Sequence, residues 1–448
     1  MSPHSENARQ WVHIGSGAFA ILLRWLTWWQ SALLALTALV FNLLLLPRLG
    51  GRQIYRPSDV ARGFPLGILL YPLSVLLLIL TFPSRLDIVA VAWAILAVGD
   101  GTATLVGHQA TTNRRLPWNP DKSVAGTTAF IVFAGVAGVT LAWWVRPSVT
   151  PLPPIAFTLL APLAAAILAG FVESIPVKLD DNLSVPATAA VVVWVGSLMT
   201  PESLTGAREA AIAALPMALA VNGATAVLGY LAKSVSVSGA IGGAAVGTII
   251  YVGGGAGAWV LLFVTFLAAS ITSRMGLKRK VVLGIAEERG GRRGAGNAIA
   301  NCGVAAIAAI VALTTPYTSQ ALVALVTALT AGGSDTVASE IGKAWGRRTV
   351  LVPTFARVPP GTSGAISAEG TVAGLLGASA LAVFGAAVSL IPWSMVLVVV
   401  LGATIGSFAE SLMGATLEER GVVNNDVLNF VNTAIAALAA VSLIKALP

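Results

Sequence analysis

Along this chain, apolar runs of about 20 residues, the length that carries a helix across the hydrocarbon core of a bilayer, alternate with short polar loops. Fourteen such segments are predicted, roughly at 18–46, 64–82, 86–107, 124–145, 151–174, 183–199, 210–231, 237–252, 254–273, 294–314, 317–340, 370–391, 394–414 and 427–447. The eighth is short and Gly-rich. The runs are helix-length, unlike the alternating strands of an outer-membrane barrel. The pattern therefore predicts an all-α polytopic membrane protein.

Composition sharpens this reading. Charged residues make up 10% of the 448, against about 25% in a soluble globular protein. Apolar residues make up 56%, and the mean hydropathy is +0.85. So few charges cannot cover a soluble surface of this size, which excludes soluble, disordered and fibrous classes. The net charge of +8 would suggest nucleic acid in a soluble protein. Here the basic residues sit in short loops and follow the positive-inside bias, so no nucleic-acid partner is expected. The lone Cys302 excludes an intrachain disulfide. Arg24 interrupts the first apolar run, so the start of the chain does not read as a cleavable signal.

If the segments alternate, one side receives 21 of the 27 basic residues, leaving Arg9, Arg24, Arg85, Arg146, Arg208 and Lys445 on the other. The basic side is expected to be cytoplasmic, with both termini outside, in the plasma or inner membrane. This requires the eighth segment to span. Fifteen of 19 acids fall on the same side, although the positive-inside rule says nothing about acids. Asp100, Glu173, Asp335, Glu340 and Glu410 sit at or inside segment ends, where an acid facing lipid costs a few kcal/mol. Acids beside basic loops on one face suggest a site for a metal and an anion.

The chain also repeats itself. Gly-Asp-Gly-Thr-Ala-Thr-Leu-Val-Gly at 99–107 is matched by Gly-Ser-Asp-Thr-Val-Ala-Ser-Glu-Ile-Gly at 333–342. Lys-Ser-Val-Ala-Gly-Thr-Thr-Ala at 122–129 is matched by Ile-Ser-Ala-Glu-Gly-Thr-Val-Ala at 366–373. Gly-Phe-Val-Glu-Ser at 170–174 faces Ser-Phe-Ala-Glu-Ser at 407–411, and Asp-Asp-Asn at 180–182 faces Asn-Asn-Asp at 424–426. Four blocks in one order at nearly one offset predict two homologous units in parallel orientation, 1–205 and 206–448. The second unit carries two extra segments before its first block.

Phosphoryl transfer needs carboxylates to hold a cation and amides to cradle phosphate. Mg²⁺ takes one or two carboxylates, with waters and phosphate oxygens completing its shell. Asp100 and Glu173 in the first unit, and Asp335 and Glu410 in the second, are the expected metal ligands. Gly126-Thr127 and Gly370-Thr371 each open an apolar helix, whose N-terminus offers free N–H groups to an anion. Gly361-Thr362-Ser363-Gly364 adds an amide-rich turn. Lys122 is placed as a phosphate-binding lysine would be. Alone, each feature has a plainer reading: a Gly-Thr pair caps a helix, Lys122 anchors at the interface, and Arg114-Arg115 and Arg347-Arg348 are topology signals. Their recurrence in register favours one anion–metal site per unit. His4, His13 and His108 read as unpaired, and no Cys/His metal spacing occurs.

At these blocks the chain resembles known families. Gly99-Asp100-Gly101, Lys122-Ser123 with Gly126-Thr127, Glu173-Ser174 and Asp181-Asn182-Leu183-Ser184-Val185-Pro186 resemble the phytol kinase and dolichol kinase family of CTP-dependent lipid-alcohol kinases. The second half is similar to the family of plant phytyl-phosphate kinase. Its stretches are Ser270-Ile271-Thr272-Ser273 with Lys280, Gly291-Arg292-Arg293-Gly294-Ala295-Gly296-Asn297 with Asn301, Ser334-Asp335-Thr336 with Ser339-Glu340-Ile341-Gly342, Val358-Pro359-Pro360-Gly361-Thr362-Ser363-Gly364, and Asn424-Asn425-Asp426 with Asn429. Both are distantly similar to phosphatidate cytidylyltransferases.

The resemblance implies a two-step kinase. The first half would phosphorylate an isoprenoid alcohol such as phytol or geranylgeraniol, and the second would convert the monophosphate to diphosphate. Each step would use CTP and Mg²⁺ at the cytoplasmic face. Asp100, Lys122, Glu173, Asp181, Asp335, Glu340, Glu410 and Asp426 would form the catalytic set. Lys122, Ser123, Gly126, Thr127, Asn182, Arg292, Arg293, Asn301, Arg357, Gly361, Thr362, Ser363, Gly364, Gly370, Thr371 and Asn425 would bind nucleotide and phosphate. Lys122 has no basic counterpart at Ile366, so Arg357, Arg347, Arg348, Arg292 and Arg293 are expected to serve the anionic acceptor of the second step. Asp181 or Asp100 could act as base toward the alcohol. A lipid cytidylyltransferase and a membrane transporter are the competing readings. Oligomeric state is not legible.

Overall fold

A computed structural model describes residues 6–49, 65–109, 114–175, 179–285 and 292–446. They are helical almost throughout, with two short antiparallel hairpins. The chain divides into two compact units, Met1–Leu198 and Met199–Pro448. The division precedes the helix Pro201–Leu231, whose start is fixed by a reciprocal cap: Ser203 N donates to Thr200 Oγ1 at 3.2 Å, and Thr200 N donates to Ser203 Oγ at 2.9 Å.

Among the described residues, twelve helices are long and apolar enough to span a bilayer, against fourteen expected. The difference has two physical causes. The stretch predicted at 64–82 forms a 16-residue helix, Leu66–Thr81, short of the ~20 residues of a full span. The eighth and ninth segments form one 38-residue stretch, Val237–Arg274. Unbroken, it would be ~57 Å long, nearly twice the ~30 Å hydrocarbon core. It breaks at Gly255 (φ 77°, ψ −178°), a conformation essentially restricted to glycine. The break falls at the boundary the pattern predicted and turns one element into two helical segments. A helix not predicted, α1 (Glu6–Ser16), precedes the first apolar segment. It is too polar and too short to register as a span.

In the first unit, α2 (Trp28–Val40) and α3 (Leu66–Thr81) lead to α4 (Leu86–Ala94). A π-turn, Ile95–Asp100, joins α4 to α5 (Gly101–Gln109). A hairpin follows, β1 (Arg115–Leu116) and β2 (Asn119–Ser123), pairing Arg115 with Ser123 and Leu116 with Asn119. Then come α6 (Val124–Val145), α7 (Ile155–Ser174) and α8 (Asp181–Leu198). The core gathers Ile79, Ile88, Ile95, Leu96 and Phe130, all fully buried. Mid-helix residues such as Val136 and Leu160 stay exposed, as expected where lipid is the solvent.

Phe130 links packing to the acids. Its ring lies where a Cβ on Gly99 or Gly170 would intrude, at 2.8 and 3.0 Å respectively. Gly99 immediately precedes Asp100, and Gly170 lies three residues before Glu173. The ring therefore sets the spacing of the two acid-bearing helices. Phe130→Ala is expected to cost about 3–5 kcal/mol. A thermal-unfolding comparison in detergent checks this, and the loss should be accompanied by weaker divalent-cation binding.

The second unit comprises α9 (Pro201–Leu231), α10 (Val237–Arg274), α11 (Leu277–Val282), α12 (Ala295–Thr314), α13 (Thr318–Trp345), hairpin β3 (Thr349–Leu351) with β4 (Ala365–Ser367), α14 (Ala368–Ala387), α15 (Val396–Met413) and α16 (Asn425–Ala446). The hairpin pairs Thr349 with Ser367, Val350 with Ile366 and Leu351 with Ala365. Helix α13 runs through the core, with Leu325, Val326, Ala328 and Leu329 buried, and packs against α14, α12 and α16.

Candidate functional site

The same local device recurs in each unit. Ser123, in an extended conformation at the end of β2, caps α6 by accepting from Gly126 N at 3.1 Å. Ser367, extended at the end of β4, caps α14 by accepting from Gly370 N at 3.1 Å. A Cβ on Gly126 would lie 2.9 Å from Ala103 O, and one on Gly370 would lie 2.7 Å from Ala338 O. In both units the capped helix therefore crosses its predecessor backbone to backbone, which only glycine permits. Asp100 and Asp335 each lie three residues before that crossing, so an acid stands about one helical turn from the free amides of a helix N-terminus.

In the first unit the acids converge. Carboxylate oxygens of Asp100, Glu173 and Asp181 lie within 4.8 Å of one another. Asp100 closes the π-turn, a distortion common at functional sites. Glu173 ends α7 and Asp181 opens α8. Lys122 Nζ on β2 lies 2.5 Å from Glu173 Oε1 and 3.1 Å from Asp181 Oδ2. The hairpin is pinned where it must be: Asn119 Nδ2 donates to Ser174 O at 3.1 Å, and Trp118 Nε1 donates to Ser174 Oγ at 3.2 Å. Burial opposes the charge on Lys122, but the Asp181 and Glu173 carboxylates outweigh it and hold the ammonium's pKa above its usual value. Asp180 Oδ1 accepts from Asn182 N at 3.0 Å and from Asn182 Nδ2 at 2.7 Å, fixing the start of α8.

Three buried oxygens here have no hydrogen-bond partner: Glu173 Oε2, Asn182 Oδ1 and Thr127 Oγ1. Buried polar atoms are nearly always satisfied, and exceptions call for an explanation such as a bound ion. Three hard oxygen donors at this spacing, one of them orphaned, fit a divalent cation such as Mg²⁺.

In the second unit a cavity of about 380 Å³ is lined by Asp335, Lys343, Ser363, Glu410, Glu418 and Asn425, together with Gly361, Thr362, Gly364, Gly370 and Thr371. Asp335 Oδ1 accepts from Ser407 Oγ at 2.9 Å, and Glu410 Oε2 accepts from Asn432 Nδ2 at 2.6 Å. Ser363 Oγ donates to Glu418 Oε2, tying the glycine loop to the π-turn Gly414–Glu418 that follows α15. Gly364 has φ 72°, and a Cβ there would meet the backbone of Ser411 and Ala415. The loop can sit this close only as glycine. The two carboxylates, Asp335 and Glu410, suit a cation that completes its shell with water and phosphate oxygens.

Most residues singled out from the sequence line one of these two sites, but Arg357, Arg347, Arg348, Glu340, Asp426, Arg292, Arg293 and Asn301 do not. Arg357 is exposed on the outer part of the β3–β4 hairpin and does not line the cavity. Arg347 and Arg348 are likewise exposed outside it. Among the described residues, the cation that does line the wall is Lys343. Glu340 is buried between two lysines, Lys280 at 2.5 Å and Lys343 at 2.9 Å, so both its oxygens are committed to ammonium groups. Asp426 faces α12, where a Cβ on Gly296 would lie 2.7 Å from its Oδ2, and its neighbour Asn425 lines the cavity instead. Arg293 and Asn301 line a separate, mainly apolar cavity of about 160 Å³ with Trp259, Phe263 and Phe266. Arg292 is exposed. Gly291 and the acids at 287 and 288 lie outside the described residues.

The sequence reading also missed partners. His13, taken as unpaired, places Nε2 3.5 Å from Asp100 Oδ2 and 3.3 Å from Leu96 O, with its ring edge-on to Tyr71 at 4.7 Å. The unpredicted α1 brings it there. Lys343 stands in register with His108 at the end of the repeated block, a signal that could have revealed it. Asn432 carries no such mark.

A family model described as integral membrane protein DUF92 matches residues 220–437. An uncharacterized membrane protein of Synechocystis sp. is 38% identical over 200 residues, taking in 44% of this chain and 78% of that relative. The chain belongs to the DUF92 family of integral membrane proteins. This DUF92 protein is also similar to the chloroplast protein VTE6 of Arabidopsis thaliana, 32% identical over 47% of the chain and 66% of the relative. A phytol kinase of Synechocystis sp. is 30% identical over 44% of the chain and 82% of its own length. No solved structure matches the DUF92 chain.

Proposed function

We propose that this DUF92 protein is a bifunctional isoprenoid-alcohol kinase. The first unit converts an alcohol of the phytol or geranylgeraniol type to its monophosphate. The second converts the monophosphate to the diphosphate. CTP is the phosphoryl donor in both steps, Mg²⁺ is required, and both sites open to the cytoplasm, where CTP is found. One observation carries the reading: a serine-capped, glycine-crossed helix N-terminus stands beside an acid in each of two units, in a chain with a phytol kinase among its relatives. It supports a duplicated ancestral unit, fused and divided between two steps.

The residues supply positioning and charge, which is most of what phosphoryl transfer asks of a protein. Amides at the starts of α6 and α14 cradle donor phosphates. Asp100, Glu173 and Asp181 would hold Mg²⁺ in the first site, and Asp335 and Glu410 in the second. When bound, the ion neutralises charge on the phosphate oxygens. Lys122 offsets part of the charge of the first acid cluster before substrate arrives and is free to turn toward phosphate afterwards. The lipid chain stays among the helices, so only its head needs to reach the acids.

The test incubates purified protein with CTP, Mg²⁺ and geranylgeraniol or phytol. Monophosphate should accumulate first and diphosphate second, with CDP released. The absence of any phosphorylated lipid, with substrate-stimulated flux in liposomes, would favour a transporter and overturn the proposal.

A further inference from the structure

The two units place their site cations on different elements. In the first unit the cation is Lys122 on β2, where the second unit has Ile366. In the second it is Lys343 on α13, where the repeat of the first unit has His108. Their electrostatic settings differ. Lys122 pairs with two carboxylates, Glu173 and Asp181, both in the acid cluster. Among the described residues, the ion pair of Lys343 is with Glu340 at 2.9 Å, and Glu340 also takes Lys280 at 2.5 Å. Lys280 is 1% exposed and is held further by Ser273 O at 2.7 Å. Two ammonium groups share one carboxylate, leaving one positive charge over. Lys280 is sealed in, so the surplus is presented by Lys343, whose side chain is 27% exposed at the cavity wall with Asp335 and Glu410. In the first unit Leu105 holds the register of Glu340, so this surplus belongs to the second unit alone.

We propose that Lys343 binds the phosphate already carried by the acceptor of the second site, and that the buried Lys280–Glu340 pair positions it. The inference rests on the two-step reading and names what separates the two acceptors. An alcohol brings no charge, whereas a prenyl monophosphate brings an anion. A fixed cation at the wall discriminates between them. Lys343 takes the role expected of Arg357 from the sequence.

The test uses the full-length protein in detergent with CTP, Mg²⁺ and geranylgeranyl monophosphate. Lys343→Gln is expected to raise KM for the monophosphate by about tenfold or more while KM for CTP changes less than about twofold. Lys343→Arg should recover most of the affinity. Glu340→Gln leaves the Lys343 ammonium in place but removes the carboxylate that positions it, and should raise KM several-fold with kcat nearly retained. Phosphorylation of geranylgeraniol by the same preparations reports that the chain is folded. An unchanged KM for the monophosphate in Lys343→Gln, or a rise confined to CTP, overturns the proposal. If wild-type protein does not turn over monophosphate at all, the two-step reading fails, and inorganic pyrophosphate becomes the probe. Greater thermal stabilisation of wild type than of Lys343→Gln then sustains Lys343 as an anion-binding group, and equal stabilisation overturns it.

Discussion

Asp100→Ala is expected to make no product from geranylgeraniol yet still convert added monophosphate, whereas Asp335→Ala should turn alcohol into monophosphate and stop. The effect should be large, at least about a thousandfold on the affected step, because under the proposed function each acid would hold the cation that meets the phosphate. Asp100 lies in a cluster with Glu173 and Asp181. Asp335 lines a different cavity in a different compact unit. Following both products by chromatography checks the split. Equal loss of both steps in either variant contradicts two sites.

The second large effect concerns Lys122. Glu173 is 3% exposed and lies in a cluster with two further carboxylates. Removing the ammonium leaves a buried anion uncompensated, which costs about 3–5 kcal/mol in comparable pairs. Lys122→Met should therefore abolish the alcohol step and lower thermal stability. Adding Glu173→Gln should restore part of the stability and none of the activity. The pH dependence follows from the direction of the shift. The folded-state pKa of Lys122 is raised above its usual 10.5, so its contribution is fully present below that value and is lost only as pH climbs through the higher folded value. The stability deficit of Lys122→Met should accordingly be constant from about pH 8 to about pH 10, the range in which the lysine stays charged. A deficit that faded across that range would mean the ammonium is not held by the carboxylates.

The membrane class, the helical segments and most of both sites were legible in the sequence because they depend on local pattern. Apolar run length sets a span, and a serine three residues before a glycine sets a helix start. The repeat placed Asp100, Glu173 and Asp181 in one unit and Asp335 and Glu410 in the other, and the glycine-bracketed turn at 361–364 was legible from its own composition. What the sequence hid depends on contacts without periodicity. Lys280 and Glu340 are sixty residues apart, and nothing in their spacing announces a pair. His13 sits on a short polar helix that no hydropathy window detects. Arg357 looked suitable by charge and position, but its hairpin projects it outward. Charge in a loop shows which ions are available, and only the fold decides which one lines the cavity.

Under the proposed function the chain transfers the terminal phosphoryl group of CTP to a lipid head. The most direct measurement supplies purified protein, Mg²⁺ and geranylgeraniol with CTP labelled at either the α- or the γ-phosphate, then follows label into the lipid. The γ-label should appear in monophosphate and diphosphate, with no α-label in lipid and with CDP as the released nucleotide. Entry of α-label into lipid with release of pyrophosphate would contradict it and identify a cytidylyltransferase.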